Sequence, residues 1–122
     1  MLTQKKKTNL ITDYSFGKIV VGGKEYKEDL IVFPDRMKTN WELNKRHLVS
    51  LEDLKELFDF EPEVLVIGTG DSGLMKVPLS VQQAIKEKGI KLFCTNSHQA
   101  CPIFNNLLNQ GKKVAGAFHL TC

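Results

Sequence analysis

The segment 68–73 has the residue types and spacing of a phosphate-binding loop. It reads Gly-Thr-Gly-Asp-Ser-Gly and therefore matches the pattern G-x-G-x-x-G. In dinucleotide-binding folds this spacing lets the backbone approach a pyrophosphate at the N-terminus of a helix. Here the next helix is expected to begin only near Pro78, too late for the last glycine to open it. Asp71 would also place a negative charge where the phosphate would bind. The following strand ends in Cys-Thr-Asn, without the acidic residue that binds the ribose. We therefore predict no nucleotide and no other cofactor.

Two interpretations of this loop remain. In the structural one, the glycines only meet the geometry of a turn at the carboxyl end of a strand. In the other, their N–H groups form a nest for a small polar or anionic ligand, since ligands bind at that end of open α/β sheets. The second interpretation predicts a ligand site made of Gly68, Thr69, Gly70, Ser72, Gly73, Lys76 and Thr95.

The cysteines and histidines form two groups, Cys94, His98 and Cys101, and then His119 and Cys122. They contain no Cys-x-x-Cys pair, and positions three apart in a strand point to opposite faces, so we predict no metal site. Cys94 is expected to be a buried small residue. Cys101, near His98, is the one candidate nucleophile, but no base and orienting group accompany it. We predict no catalytic residue.

A β-hairpin is expected to open the folded part of the chain. The pattern of residues 14–21 predicts a first strand, and Gly22-Gly23 predicts a two-residue turn. A second strand is expected to run from there to about Phe33, where Pro34 stops it. Residues 34–49, which include Trp41 and His47, predict an irregular segment. Ser50 is expected to cap a helix with a buried leucine-rich stripe.

The second half predicts alternating strands and helices. The apolar run 64–67 is typical of a central strand covered on both faces. A helix from Pro78 to about Gly89 and a strand over 91–94 complete a βαβ unit. Pro102 is expected to leave 97–101 irregular and to start the next helix, over 102–110. The last strand is expected over 113–120.

Composition indicates one soluble domain. The chain has 122 residues, a net charge of +3, and 17 basic and 14 acidic side chains. Three lysines fall in residues 1–8, so the remainder is neutral, and we predict a flexible basic tail over 1–12 followed by one domain over 13–122. No apolar stretch is long enough for a membrane span. We expect no nucleic-acid partner, no membrane association and, from three unpaired cysteines, a cytoplasmic location.

The order and spacing of several segments resemble the Mth938-like family, also catalogued as domain of unknown function 498. These segments are 29–34 with Trp41, 66–70, 76–78 and 89–90, then Ala100, Asn105 and Leu107, and finally 110–111 and 114–119. The resemblance covers about residues 13–122. It implies a three-layer α/β fold with a mixed central sheet, helices on one face, and the N-terminal hairpin plus a helix on the other. It also implies no established activity or cofactor. The family's eukaryotic members include an assembly factor and an adipogenesis-associated protein, and both roles imply protein interaction rather than catalysis.

Two functional hypotheses follow. The first is a non-catalytic protein-interaction or assembly module, which binds other proteins or a second copy of itself. The alternative is a binder of, or an enzyme acting on, a small polar or anionic ligand at the glycine loop 68–73. A pocket at 68–76 and 95–98 would favour the alternative, whereas a loop whose N–H groups are bonded internally would argue against it.

Overall fold

The computed structural model describes residues 9–122. Residues 1–8, which make up most of the predicted tail, lie outside that range. Residues 9–12 belong to the folded domain, because Asn9 is buried and its side-chain amide donates to the carbonyls of Phe33 at 2.7 Å and Arg36 at 2.9 Å. The first strand begins at Ile11, so the domain starts earlier than residue 13.

A small antiparallel sheet begins the fold. It consists of β1 (Ile11–Ser15), β2 (Lys18–Val21) and β3 (Lys24–Tyr26) in that order. The predicted hairpin turn at Gly22-Gly23 is confirmed, since both residues have positive φ and join β2 to β3. The single strand predicted over 14–21 is wrong. Gly17, with φ of +77°, reverses the chain there and divides the segment between two strands.

The main sheet has five strands and mixed directions. They are β4 (Leu30–Val32), β5 (Met37–Thr39), β6 (Val64–Thr69), β7 (Lys91–Thr95) and β8 (Val114–His119), in the order β5-β4-β8-β6-β7. Strand β6 is parallel to both of its neighbours, and β4 is antiparallel to β8. The prediction of a central buried strand is confirmed, because all six residues of β6 are buried. Strand β5 lies in the segment predicted to be irregular.

Three α-helices connect these strands. A 3-10 turn (Glu52–Leu54) leads into the short α1 (Lys55–Asp59), and α2 (Leu79–Glu87) and α3 (Ser97–Asn109) are longer. Ser50 and Asp53 stabilise the start of the 3-10 turn by hydrogen bonds in both directions. The Ser50 N–H donates to the Asp53 carboxylate at 2.8 Å, and the Asp53 N–H donates to the Ser50 hydroxyl at 3.3 Å.

Helix α3 is regular from Ser97, so the irregular turn predicted over 97–101 is wrong. The Asn96 side chain caps the helix by accepting from the Gln99 N–H at 3.0 Å. Pro102 is the sixth helical residue, and it removes one backbone donor. The helix persists because Ala100, Phe104 and Leu108 on its inner face are buried against the sheet.

The layers agree with the predicted fold class. One face of the main sheet packs against α1, α2 and Trp41. The opposite face packs against α3 and the small antiparallel sheet. Strands β6 and β8 end side by side, with Thr69 paired to His119. The glycine loop and the end of β8 therefore lie next to each other, and this is where the functional groups gather.

Candidate functional site: a histidine cleft beside the glycine loop

The N–H groups of the glycine loop are bonded within the protein. Asp71 donates to the Thr121 carbonyl at 3.2 Å, Ser72 and Leu74 donate to the Cys122 carbonyl at 3.3 and 3.0 Å, and Gly73 donates to the Gly70 carbonyl at 3.3 Å. A nest needs free N–H groups that converge on a ligand. The backbone-donor form of the predicted site is therefore not supported by the geometry.

Ser97 connects the loop to its surroundings. Its hydroxyl accepts from the Gly70 N–H at 3.0 Å and donates to the His119 carbonyl at 2.6 Å, and the residue is completely buried. One side chain thereby joins the end of β6, the start of α3 and the end of β8. Ser97 is not among the predicted site residues.

The remaining predicted site residues do not converge on one pocket. Thr69 is buried, the Thr95 hydroxyl donates to the Gln99 side chain at 2.6 Å, and the Ser72 hydroxyl donates to the Cys122 carbonyl at 3.0 Å. Lys76 contributes through its backbone, since its N–H donates to the His47 carbonyl at 2.8 Å. That bond positions His47 beside the cleft described next.

An Asp–His pair lies at the end of β8. The Nδ1 of His119 donates to one carboxylate oxygen of Asp29 at 2.6 Å, and the second oxygen accepts from the Leu120 N–H at 2.9 Å. A carboxylate only accepts hydrogen bonds, so Nδ1 of His119 carries a proton. Nε2 then holds the lone pair of the neutral ring and becomes a donor in the imidazolium. Asp29 thus fixes both the orientation and the tautomer of His119.

The Nε2 of His119 is buried and has no hydrogen-bond partner, and it is the one such side-chain atom found in residues 9–122. A buried polar atom left unsatisfied costs about 1–3 kcal/mol. Native proteins satisfy nearly all such atoms, so an unpaired one indicates a partner such as a ligand, an ion or a water, or a role in a reaction. The Asp29–His119 pair therefore has the features of a functional group rather than of a structural contact alone.

The pair lines a cleft of about 510 Å³. We call it the histidine cleft; its lining includes Asp29, Trp41, Glu42, Arg46, His47 and His119. The His47 ring contacts the His119 ring edge to face, with the centroids 5.3 Å apart. The Trp41 ring is held in place by its N–H, which donates to the Asp53 carbonyl at 2.9 Å. The cleft therefore combines a fixed aromatic wall with two imidazoles and a guanidinium.

Gly70 makes room for this arrangement. A Cβ atom at this position would lie 2.8 Å from Cδ2 of His119 and 2.4 Å from the Thr121 carbonyl oxygen. The φ of Gly70 is +109°, which side chains rarely adopt. The glycine of the loop thus lets the His119 ring lie against the backbone, which gives it a role in the site other than the predicted one.

The second Asp–His contact is more exposed. The Nε2 of His98, at the start of α3, lies 2.6 Å from the Asp71 carboxylate, and about half of the His98 side chain is exposed. The ring also contacts Tyr14 edge to face at 4.8 Å. Burial, and secondarily the Asp71 carboxylate, raise the pKa of Tyr14 to about 12. Asp71, whose charge is unfavourable for a bound phosphate, is thus paired with His98 of α3.

The cysteines do not form a reactive site. Cys101 is buried, and this burial raises the pKa of its thiol to about 12, so the nucleophilic thiolate is scarce near neutral pH. Cys94 is exposed, contrary to the expectation of a buried residue, because β7 is an edge strand of the sheet. Residues 9–122 hold no group of three side chains that could bind a metal ion.

The site was missed because its parts are distant in sequence. Asp29 and His119 are 90 residues apart, and neither belongs to a recognisable motif. One available signal was Trp41 and His47 together in the polar segment 34–49. Their role depends on contacts across the fold, because Lys76 bonds to that segment and the His119 ring of β8 packs against His47.

The fold and sequence have known relatives. A curated relative, the "13 kDa major membrane protein" of Francisella tularensis subsp. holarctica, is 27% identical over 110 residues and covers 84% of each chain. The structure of the conserved hypothetical protein PH1505 from Pyrococcus horikoshii has a TM-score of 0.81 at 22% identity, with 92% of this chain and 98% of that chain covered. The solution structure of a Bordetella pertussis protein described as a Mth938-like domain has a TM-score of 0.76 at 15% identity, with 98% of this chain and 90% of that chain covered.

The relative from Francisella has a name that refers to a membrane, whereas no helix among residues 9–122 of this chain is long and apolar enough to cross one. A family model described as "Protein of unknown function (DUF498/DUF598)" matches residues 11–119, nearly the whole domain. This match agrees with the resemblance stated from the sequence segments and with the shared fold. The chain belongs to the DUF498/DUF598 family, the family of Mth938-like domains.

Proposed function

We propose that this domain binds a small anionic molecule, a carboxylate or a phosphate, in the histidine cleft. The observation that carries the proposal is the buried, unpartnered Nε2 of His119, which in the imidazolium form donates a hydrogen bond to an anion, in a cleft that Arg46 and His47 also line. Pockets with a few converging polar groups on a largely fixed wall are the usual form of small-molecule sites.

Arg46 is the permanently positive group that lines the cleft, and it favours an anion despite two carboxylates, Asp29 and Glu42, in the same lining. Both oxygens of the negatively charged Asp29 accept hydrogen bonds from His119 and Leu120, so this carboxylate is directed toward those donors. The exposed Arg46 guanidinium offers a planar fork of donors that suits a carboxylate or a phosphate. The exposed Glu42 is a further opposing charge, so the ligand is expected to bind on the Arg46 side.

Binding without a reaction is the role that the nearby groups favour. The Ser97 hydroxyl, the buried hydroxyl bonded to His119, is committed to the His119 carbonyl and to the Gly70 N–H. It therefore does not face the His119 ring nitrogen as a nucleophile would face its base. The proposal keeps the ligand-binding hypothesis but moves it from the glycine loop to the neighbouring cleft.

Fluorescence of Trp41 provides the test, since it is the one tryptophan of the chain and lines the cleft. Inorganic phosphate and succinate, titrated separately, distinguish a phosphate ligand from a carboxylate ligand. We expect a saturable change with one of them and a dissociation constant about tenfold higher in Arg46→Ala, the effect of losing a charge-assisted hydrogen bond. Lys45→Ala is the matched control and should change the dissociation constant less than about twofold.

Two results would contradict the proposal. One is the absence of a saturable change with either probe at millimolar concentration. The other is an equal weakening by Arg46→Ala and Lys45→Ala, which would show only a general effect of charge on this segment.

A protein-interaction role is the second candidate function. It is supported by Leu79, which is 81% exposed, more than any other large apolar side chain in residues 9–122, and which lies beside the open edge of the main sheet. Exposed apolar groups next to an unpaired strand are typical of protein contacts. This role does not exclude ligand binding, because the edge and the histidine cleft share no lining residue.

We also propose a cytoplasmic location. All three cysteines are free in the structure, which suits a reducing compartment. Fractionation of cells followed by immunoblotting tests this location. The protein is expected in the fraction that stays in solution after ultracentrifugation, and recovery with the membranes at high salt would contradict it.

A further inference from the structure

Strand β7 is an open edge of the main sheet. Within residues 9–122 it pairs only with β6, in parallel, and it is the last strand in the order β5-β4-β8-β6-β7. An open edge presents N–H and C=O groups that can pair with a further strand. The five residues of β7 are long enough to hold such a strand through main-chain hydrogen bonds.

The register identifies which backbone groups are available. The Lys91 N–H donates to the Glu63 carbonyl at 3.1 Å, so the main chain of Lys91 faces β6. Alternate residues face the same neighbour in a parallel pair. The main-chain groups of Leu92 and Cys94 therefore face outward, away from the sheet.

A groove of about 530 Å³ lies beside this edge, between β7 and α2. We call it the edge groove; it is lined by Leu79, Gln82, Lys86, Ile90, Lys91 and Leu92. Its apolar side chains, Leu79, Ile90 and Leu92, can pack against an apolar side chain of an added strand. Neither lysine forms an ion pair with another residue in the described range 9–122.

We propose that the β7 edge and the edge groove bind an extended, acidic segment of another protein, which adds to the main sheet as a sixth strand. The proposal rests on the second candidate function, protein interaction. Main-chain pairing with Leu92 and Cys94 supplies binding, an apolar side chain of the partner contacts Leu79, and carboxylates of the partner neutralise Lys86 and Lys91. Charge favours this occupant over a second copy of the chain, whose own edge groove carries the same two lysines.

Fluorescence anisotropy with a labelled peptide tests the proposal. The probe is a seven-residue peptide, Glu-Val-Ile-Val-Thr-Val-Glu with blocked ends, and its matched control has lysine in place of both glutamates. We expect the acidic peptide to bind at least about tenfold more tightly than the lysine peptide. Methylation of alternate backbone nitrogens in the acidic peptide should abolish binding, because it removes the main-chain donors.

Two protein variants address the edge itself. Cys94→Pro removes an outward N–H that the sheet does not use, so we expect at least about a tenfold loss of peptide affinity. Cys94→Ser keeps that N–H and should retain affinity within about twofold. Circular dichroism and thermal unfolding establish whether Cys94→Pro is folded. The backbone-methylated peptide tests the same main-chain contact on the unmodified protein if it is not.

Several outcomes would overturn the proposal. They are no saturable binding of the acidic peptide, equal binding of the methylated and unmethylated forms, or tighter binding of the lysine peptide. A dimer in sedimentation that Cys94→Pro dissociates would assign the edge to self-association instead. Arg46→Ala serves as an independent control, since it should weaken binding of the anion that occupies the histidine cleft and leave peptide affinity unchanged.

Discussion

Replacing Gly70 by alanine is expected to lower the free energy of unfolding by about 3 kcal/mol or more. The added Cβ would lie 2.4 Å from the Thr121 carbonyl oxygen and 2.8 Å from Cδ2 of His119, and a φ of +109° is unfavourable for any residue with a side chain. The carbonyl is backbone and cannot move aside as a flexible side chain would. Urea denaturation followed by circular dichroism measures the change.

Gly89 provides the matched control. It also has positive φ, +79°, but a Cβ there would meet no atom within 4 Å. Gly89→Ala therefore isolates the cost of the backbone conformation, about 1 kcal/mol. Equal losses in the two variants would show that close packing at Gly70 contributes nothing and that the loop does not seat the His119 ring.

Replacing Asp29 by alanine is expected to lower the free energy of unfolding by about 2–4 kcal/mol. The substitution removes two hydrogen bonds to a charged group and leaves Nδ1 of His119 and the Leu120 N–H without their acceptor. It also frees the His119 ring to change tautomer. Affinity for the anionic probe should fall as well, since the orientation of the ring depends on this carboxylate.

Glu42→Ala is the control for Asp29→Ala. It removes the same charge from the same cleft, but Glu42 is exposed, so stability should change by less than about 0.5 kcal/mol. Similar losses of stability in the two variants would contradict the buried pairing. Asp29→Asn adds a spectroscopic signature, because an amide N–H placed toward Nδ1 should shift the proton of His119 to Nε2. Nitrogen-15 chemical shifts of the imidazole report that tautomer.

The regular parts of the fold could be predicted because their signals are local. The apolar run 64–67 indicated the central strand, and Gly22-Gly23 indicated the hairpin turn; both are present. The order of the segments pointed to the family. Errors arose where a local signal competed with packing. Pro102 argued against an early helix start, but burial of Ala100 and Phe104 keeps α3 regular from Ser97.

The candidate site could not be predicted in the same way. The glycine loop matched a local pattern, but its N–H groups are bonded to the Thr121, Cys122 and Gly70 carbonyls, contacts made mostly across the fold. Asp29 and His119 meet only because β4 pairs with β8. A contact between residues 90 positions apart leaves no periodic signal in a single sequence. The loop is still important to the site, because it accommodates the His119 ring at Gly70.

The most direct test of anion binding in the histidine cleft is a titration followed through the imidazole nitrogens of the protein. The chain has three histidines, of which His47 and His119 line the cleft and His98 lies beside Asp71 on α3. With nitrogen-15-labelled protein and inorganic phosphate or succinate at constant pH and ionic strength, we predict that the signals of His47 and His119 shift together. Their shifts should saturate at the concentration that saturates Trp41 fluorescence, while those of His98 stay unchanged. Equal, unsaturated shifts of all three histidines, or no shift of His47 and His119 with either probe, would contradict the account.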